Sequence, residues 1–230
     1  MKPPLEMPTD FIAQVDFDLQ RVDYSAPEAS GRVAGVQAGA PLWMATYTLD
    51  TLGQEESDEV RAFKDRMRGQ IRRFLGRDIL RPYPKAHSRG FAGMERAGGG
   101  AFAGSATSWS ETITADGDSE ITLEGLPAGL ELGLCDYVGF HWVATSAEVA
   151  GLTWHTCVRV NIAATADVDG TLTVTCEPPL PSAVPPGAVA YLNQPACVMT
   201  LITDQTKLQA VGRRLAIGGG QIVGVQDIRG

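Results

Sequence analysis

Phe11, Ala13, Val15, Phe17 and Leu19 alternate with Ile12, Gln14, Asp16, Asp18 and Gln20. Successive side chains of a strand point to opposite faces, so this period of two predicts a half-buried β-strand. Trp43, Ala45, Tyr47 and Leu49 alternate in the same way with Met44, Thr46, Thr48 and Asp50, predicting a second strand beyond the turn-rich stretch SAPEASGRVAG. The period then changes. Val60, Phe63, Met67, Ile71 and Phe74 recur at steps of three and four, which places them on one stripe of a helix predicted over residues 57–75. Ser57 reads as its N-cap, Asp58 and Glu59 sit at the positive end of the dipole, and Arg72 and Arg73 near the negative end. Gly76 follows as a stop signal, and Arg77, Asp78, Ile79, Leu80 and Arg81 read as a short strand closed by Pro82 and Pro84.

From His87 to Gly104 the chain is rich in Gly and Ala, with Gly98, Gly99 and Gly100 in a row, and reads as a mobile linker or long loop. Beyond it the pattern is almost purely β. Strands are predicted over residues 108–114, 119–123, 137–145, 154–163, 172–176 and 198–203, with a hairpin turn at Asp169-Gly170. Proline-rich breaks between them suit a small sandwich or barrel. Leu215, Ile217, Ile222, Val223, Val225 and Ile228 flank Gly218-Gly219-Gly220 and predict a terminal hairpin that returns to the first unit. The fold class expected is mainly β: a β-sandwich with one packed α-helix, plus an inserted small β-barrel or sandwich.

Charge sharpens that division. Residues 1–90 hold 13 basic and 13 acidic side chains, residues 91–205 hold 2 and 13, and residues 206–230 hold 4 and 1, giving net charges of 0, −11 and +3. The two ends match each other better than either matches the middle, as for a domain of residues 1–90 and 206–230 interrupted by an acidic one of residues 91–205. Hydrophobic content of 44% suits a globular chain with a sizeable core. No apolar run reaches the length of a membrane span and MKPPLEMPTDF lacks a signal-peptide core, so synthesis in the cytoplasm without membrane insertion is expected. Cys135, Cys157, Cys176 and Cys197 form no CxxC pair and read as free, mostly buried thiols.

Little in the sequence carries chemistry. Asp167-Val168-Asp169-Gly170 opens like a calcium loop but lacks the later ligands, and reads as a turn, as does Asp116-Gly117-Asp118. His155 and Cys157 share a strand face, but His141 and Cys135 have no motif spacing to complete a zinc site with them, so no metal is expected. No histidine lies in a nucleophile context, the glycine runs lack a phosphate-loop lysine, and Glu111, Glu120, Glu124 and Asp136 cannot be paired as catalytic carboxylates. Neither an enzyme nor a cofactor is expected. Trp142 shares a face with Phe140 and Ala144 and reads as core; Trp109 and Trp154, beside strand ends, are the candidates for stacking on a sugar. Arg66, Arg68, Arg72 and Arg73 are interleaved with Asp65 on several faces, which suits a solvated or subunit-facing surface better than nucleic acid.

Several segments together resemble distal tail proteins of long-tailed (siphovirus-like) phages and gene-transfer particles. They are GVQAGAPLWMATYTL (Gly35 to Leu49), the helix pattern R-x-F-x-x-x-x-R-G (Arg61, Phe63, Arg68, Gly69), and FLGRD with Arg81-Pro82. LPAGLELGLCDYV (Leu126 to Val138), ADVDGTLTVTCEPPL (Ala166 to Leu180) and QPACVMTL (Gln194 to Leu201) are similar to segments of tail-tip proteins, with Cys135 standing where that family usually has Gly. The resemblance implies a structural virion protein of the tail tip: a homohexameric ring joining the tail tube to the baseplate or tip complex. Its implied partners are tail tube, hub or tip and tape-measure proteins, with DNA only in passing through the channel. It implies a location in the virion tail and no enzymatic activity. Arg61, Arg68, Arg72, Arg77 and Arg81 become candidate subunit contacts. Rival readings are a carbohydrate- or receptor-binding tail module acting through Trp109 or Trp154, and an envelope hydrolase. Charge reversal in Arg68→Glu is expected to weaken subunit association; an unchanged oligomer by native mass spectrometry would remove Arg68 from the interface.

Overall fold

A computed structural model describes residues 2–27, 31, 33–208 and 220–229. In chain order its elements are β1 (Leu5–Glu6), β2 (Ile12–Gln20), β3 (Asp23–Pro27), β4 (Val33–Gln37), β5 (Leu42–Leu49), α1 (Gln54–Met67) and β6 (Phe74–Gly76). They continue with β7 (Ser108–Ile113), β8 (Ser119–Glu124), β9 (Glu131–Leu132), β10 (Tyr137–Val143), β11 (Thr153–Ile162), β12 (Ala164–Thr165), β13 (Leu172–Glu177), β14 (Val189–Tyr191), β15 (Cys197–Leu201) and β16 (Gln221–Gln226). The chain is mainly β with one α-helix. A first six-stranded sheet has the order β1-β6-β15-β16-β5-β2, and a second the order β14-β10-β11-β13-β8-β7. The first sheet is antiparallel apart from the β1–β6 edge, and the second is antiparallel throughout. The chain leaves the first sheet after β6, builds the second, and returns through β15.

Alternation decides which face is buried. Register pairs Phe17 with Ala45, Leu19 with Trp43 and Ile222 with Tyr47, so these side chains lie on one face of the first sheet with Phe74, Met199 and Leu201. The helix covers part of that face through Val60, Phe63 and Met67, Phe63 meeting Phe74 edge-on at 5.9 Å. Tyr137 and Cys157 of the second sheet cover the part around Trp43. The opposite face carries Asp16, Asp18, Thr46 and Thr48, and β2 presents its carboxylates there to solvent. The second sheet buries its own core of Ile121, Leu123, Phe140, Trp142, Val158, Val160, Leu172 and Val174, closed by loop residues Phe91, Phe102, Leu126 and Leu130.

The seam between the sheets is built on two indoles. Trp43 Nε1 donates to the Cys157 carbonyl at 2.7 Å, and Trp154 Nε1 donates to the Asp227 carbonyl at 3.1 Å, so each sheet buries an indole whose hydrogen bond ends beyond the seam. Phe17 stacks on Trp43 with centroids 4.7 Å apart, Tyr137 meets it edge-on at 5.7 Å, and the Arg159 guanidinium lies over it at 5.4 Å. Gln226 accepts from Trp43 N (3.1 Å) and donates to Thr156 Oγ1 (2.9 Å). Arg159–Asp18 and Arg21–Glu177 ion pairs flank the seam at 2.8 and 2.6 Å. Near its end the buried Arg73 and Asp227 pair, and Arg229 adds a second bond to Asp227 at 2.7 Å. Removing one partner of such a buried pair strands the other charge, which costs about 3–5 kcal/mol.

Five expectations change. The helix spans Gln54–Met67 rather than residues 57–75: Gly53 N–H is capped by Glu56 Oε2 at 2.6 Å, and Ser57 lies buried inside the first turns. It ends where Arg68 (φ 51°) and Gly69 (φ 67°) take left-handed conformations, so Ile71 is 69% exposed and Phe74 opens a strand instead of a last turn. Gly76 is no helix stop; a Cβ there would overlap Met199 Sδ, so the glycine makes room in the sheet core. Residues 77–81 form turns, with Asp78 Oδ1 accepting from Leu80 N. The strand expected at 198–203 is β15 of the first sheet, so the return crossing lies between Tyr191 and Cys197, earlier than residue 205. The glycine-rich stretch is a packed loop: Phe91 and Phe102 are buried, and Arg96 bonds Ser105 O at 2.8 Å and Gly125 O, leaving Gly98–Gly100 at an exposed tip. Of the terminal hairpin, Ile222, Val223 and Val225 lie in β16, whereas Leu215, Ile217, Gly218 and Gly219 lie outside the described residues. Trp43→Phe leaves the buried Cys157 carbonyl without its donor, and is expected to cost about 2–4 kcal/mol, read as a lower urea midpoint at unchanged slope.

Candidate functional site

The five candidate arginines fall into two groups. Arg77 donates to Gln194 Oε1 at 2.8 Å and lies 3.8 Å from Glu6 Oε2; Arg81 donates to the Cys135 carbonyl at 3.1 Å. These two fasten the first sheet's β6 loop to segments of the second. Arg61 donates to Ser57 Oγ at 3.3 Å, and Arg68 closes the helix by donating its backbone N–H to Asp65 O at 3.2 Å. Among the described residues Arg61, Arg68 and Arg72 form no ion pair, and Arg61 and Arg68 are exposed. The helix itself is mixed in charge, with Glu55, Glu56, Asp58, Glu59 and Asp65 beside Arg61, Lys64 and Arg66, while Asp16 lies exposed on the other side of the first sheet.

The β3–β4 hairpin pairs with no other strand among the described residues. Its register sets Tyr24 opposite Val36, and the two are 69% and 66% exposed, with Val22 beside them at 54%. An isolated two-stranded ribbon is marginally stable in water. This one places a cross-strand apolar pair on a surface that the described residues leave open, a feature the turn-rich sequence did not suggest.

The sugar-stacking candidates are both committed to packing. Trp154 is 1% exposed at the seam, contrary to its expected exposure beside a strand end, because β11 runs through the centre of the second sheet. Trp109 is half-buried, donates Nε1 to Ala188 O at 2.6 Å and meets Phe140 edge-on at 4.8 Å. Trp142 is core, as expected. The carboxylates also serve the fold. Glu111 Oε1 accepts from Ser119 Oγ (2.7 Å) and Leu180 N (2.8 Å), the buried Asp136 accepts from Lys85 N and Gly133 N, and Glu124 accepts from Ser108 Oγ at 2.5 Å. Asp167 Oδ1 accepts the N–H groups of Asp169 and Thr171, holding the Asp169-Gly170 turn.

The four residues weighed for a zinc site are not brought together. Cys135 is exposed in a loop, with φ 64° where glycine is at ease, and Cys157 is buried next to Cys197 at the seam. Among the described residues no group of three or more His, Cys, Asp or Glu side chains is placed to hold a metal. His141 and His155 do meet as direct cross-strand partners, with ring centroids 5.6 Å apart. Tyr191 stands beside them: its Oη is 3.1 Å from His155 Nδ1 and accepts from Ala196 N at 3.2 Å. Burial pushes the Tyr191 hydroxyl well above its ordinary range and lowers His155 to about 4, the neighbouring His141 contributing less.

The chain matches no known protein-family model and no curated protein sequence. Among the described residues no helix is long and apolar enough to cross a membrane.

Because His155 is held neutral in the fold, the unfolded chain takes up a proton first as pH falls. The stability this confers is complete above about pH 6.5 and is lost between there and pH 4, on the order of 3 kcal/mol. His155→Gln is expected to flatten that part of the stability–pH curve relative to wild type, measured by urea unfolding at pH 7.0, 5.5 and 4.5; parallel curves would show the histidine to be unperturbed.

Proposed function

We propose that the protein is a structural subunit of the tail tip of a long-tailed phage or gene-transfer particle. In this reading it forms a hexameric ring between the tail tube and the baseplate or tip complex, within the virion tail. The observation that carries the reading is the β3–β4 hairpin, whose paired Tyr24 and Val36 are exposed on a ribbon with no further strand beside it among the described residues. Unpaired edges and an apolar cross-strand pair are what a neighbouring copy covers when subunits close a ring.

Charge supports the same arrangement. Head-to-tail contacts join two different surfaces, and here the unpaired Arg61, Arg68 and Arg72 lie on the helix side of the first sheet, with exposed Asp16 across it. Guanidinium groups left without a carboxylate on one surface can pair with carboxylates of a neighbouring subunit, and such pairs fix how successive subunits are oriented. The sequence segments resembling distal tail proteins supply the hexameric count, the neighbours above and below, and the passage of DNA through the channel. The absence of enzymatic activity is part of the same proposal. A carbohydrate-binding role loses the two tryptophans that suggested it, since both are packed against the protein's own residues.

The test is native mass across a concentration series by light scattering. A hexamer is expected for wild type, and Tyr24→Lys is expected to shift it to monomer with an unchanged melting temperature for the monomeric fold. A wild-type monomer at every concentration, in the presence of purified tail tube as in its absence, would overturn the proposal.

A further inference from the structure

His141 and His155 sit opposite each other on adjacent antiparallel strands, so the backbone register fixes both imidazoles on one face of the second sheet. Their ring planes are inclined by 35° with centroids 5.6 Å apart. A tetrahedral ion with metal–nitrogen bonds of about 2.0–2.1 Å places two imidazole centroids about 5 Å apart. Reaching that spacing takes side-chain adjustments of roughly half an ångström, within ordinary rotamer freedom.

The surroundings favour ligation over a merely packed pair. His155 borders an open cleft of about 280 Å³ together with Glu6, Arg77, Tyr191, Asn193 and Gln194, while His141 lies outside that lining and is half-buried beside it on β10, so water can approach the pair from the His155 side. Metal-binding histidines are oriented by an acceptor on the second ring nitrogen, and Tyr191 Oη lies at 3.1 Å from His155 Nδ1, itself fixed by the Ala196 N–H. With Nδ1–H donating to Tyr191, His155 presents Nε2 as the ligand. The nearest guanidinium in the cleft, Arg77, is engaged by Gln194 and Glu6.

We propose that His141 and His155 form a two-imidazole site for a borderline divalent transition ion of the Zn(II), Ni(II) or Cu(II) kind, with Tyr191 as the positioning residue and water completing the coordination. Imidazole ligands select these ions over Mg(II) and Ca(II), which prefer oxygen donors. Two protein ligands leave positions open, so the ion is exchangeable and the fold does not require it.

The test uses the full chain without a polyhistidine tag, titrated with Ni(II) and separately with Mg(II) by calorimetry at pH 7.5. Ni(II) is expected to bind at one equivalent per chain, and at a hundredfold excess over its Kd to raise the melting temperature by roughly 5–10 °C. His141→Gln and His155→Gln are each expected to weaken binding at least tenfold, while circular dichroism reports an intact fold. Tyr191→Phe should weaken it less. His87→Gln, at a histidine that instead accepts from Glu131 N, should leave it unchanged. No saturable Ni(II) binding by the wild type, equal response to Mg(II), or undiminished binding by His141→Gln would each overturn the proposal.

Discussion

Two indole N–H groups cross the seam in opposite directions, and most of the architecture depends on that exchange. Trp43 is anchored to the Cys157 carbonyl and Trp154 to the Asp227 carbonyl. Each indole brings a large apolar area to the contact and removes a buried polar group from the list of those needing water. Phe17, Tyr137 and Arg159 then close around Trp43, so that strands of both sheets share one aromatic cluster. Sliding one sheet against the other would break both hydrogen bonds and separate stacked rings at once. The seam therefore behaves as part of a core, and the orientation of the second sheet relative to the first is set as firmly as packing inside either.

The strands were legible because each buries one face and exposes the other. Alternation located β2, β5, β11 and β13 to within a residue or two, and the Asp-Gly turn gave the entry to β13. What was not legible depends on contacts distant in sequence. The stripe from Val60 to Phe74 continues in helical phase through Ile71, yet nothing local reveals that Arg68 turns left-handed and sends Phe74 into a strand. Gly76 has the look of a helix stop because its actual role, making room for Met199 from the far end of the chain, has no local signature. Trp154 was misplaced for the same reason: what buries its indole near the start of β11 is the seam, where it bonds the carbonyl of the distant Asp227. Cys135 is a further case, since a non-glycine residue with no local turn signature takes a left-handed backbone there.

Among the candidate site residues, the arginines illustrate what residue type alone leaves open. Arg73 and Arg77 are adjacent in kind and position to Arg72, yet Arg73 is buried against Asp227 and Arg77 binds Gln194, whereas Arg72 pairs with no carboxylate among the described residues. Partners more than a hundred residues away decide which arginine holds the fold and which is left without a carboxylate among the described residues. The histidine pair was visible only as two residues on separate strands; register brought them together. The hairpin that carries the proposed function has few apolar residues and many turn formers, so its sequence resembles a loop, and its exposed Tyr24 and Val36 acquire meaning only from their mutual pairing.

The route of the chain has a kinetic side. Gly76 and Cys197 are paired in the first sheet although about 120 residues separate them, and closing a flexible loop of that length costs about 4 kcal/mol of chain entropy. The second sheet consists largely of neighbouring hairpins, whose contacts are local and quick to form. Once it is folded, its two ends emerge beside each other and most of that entropy has already been lost. Folding in this order turns the excursion from an obstacle into a template, with β15 delivered to β6 by a body that is already rigid.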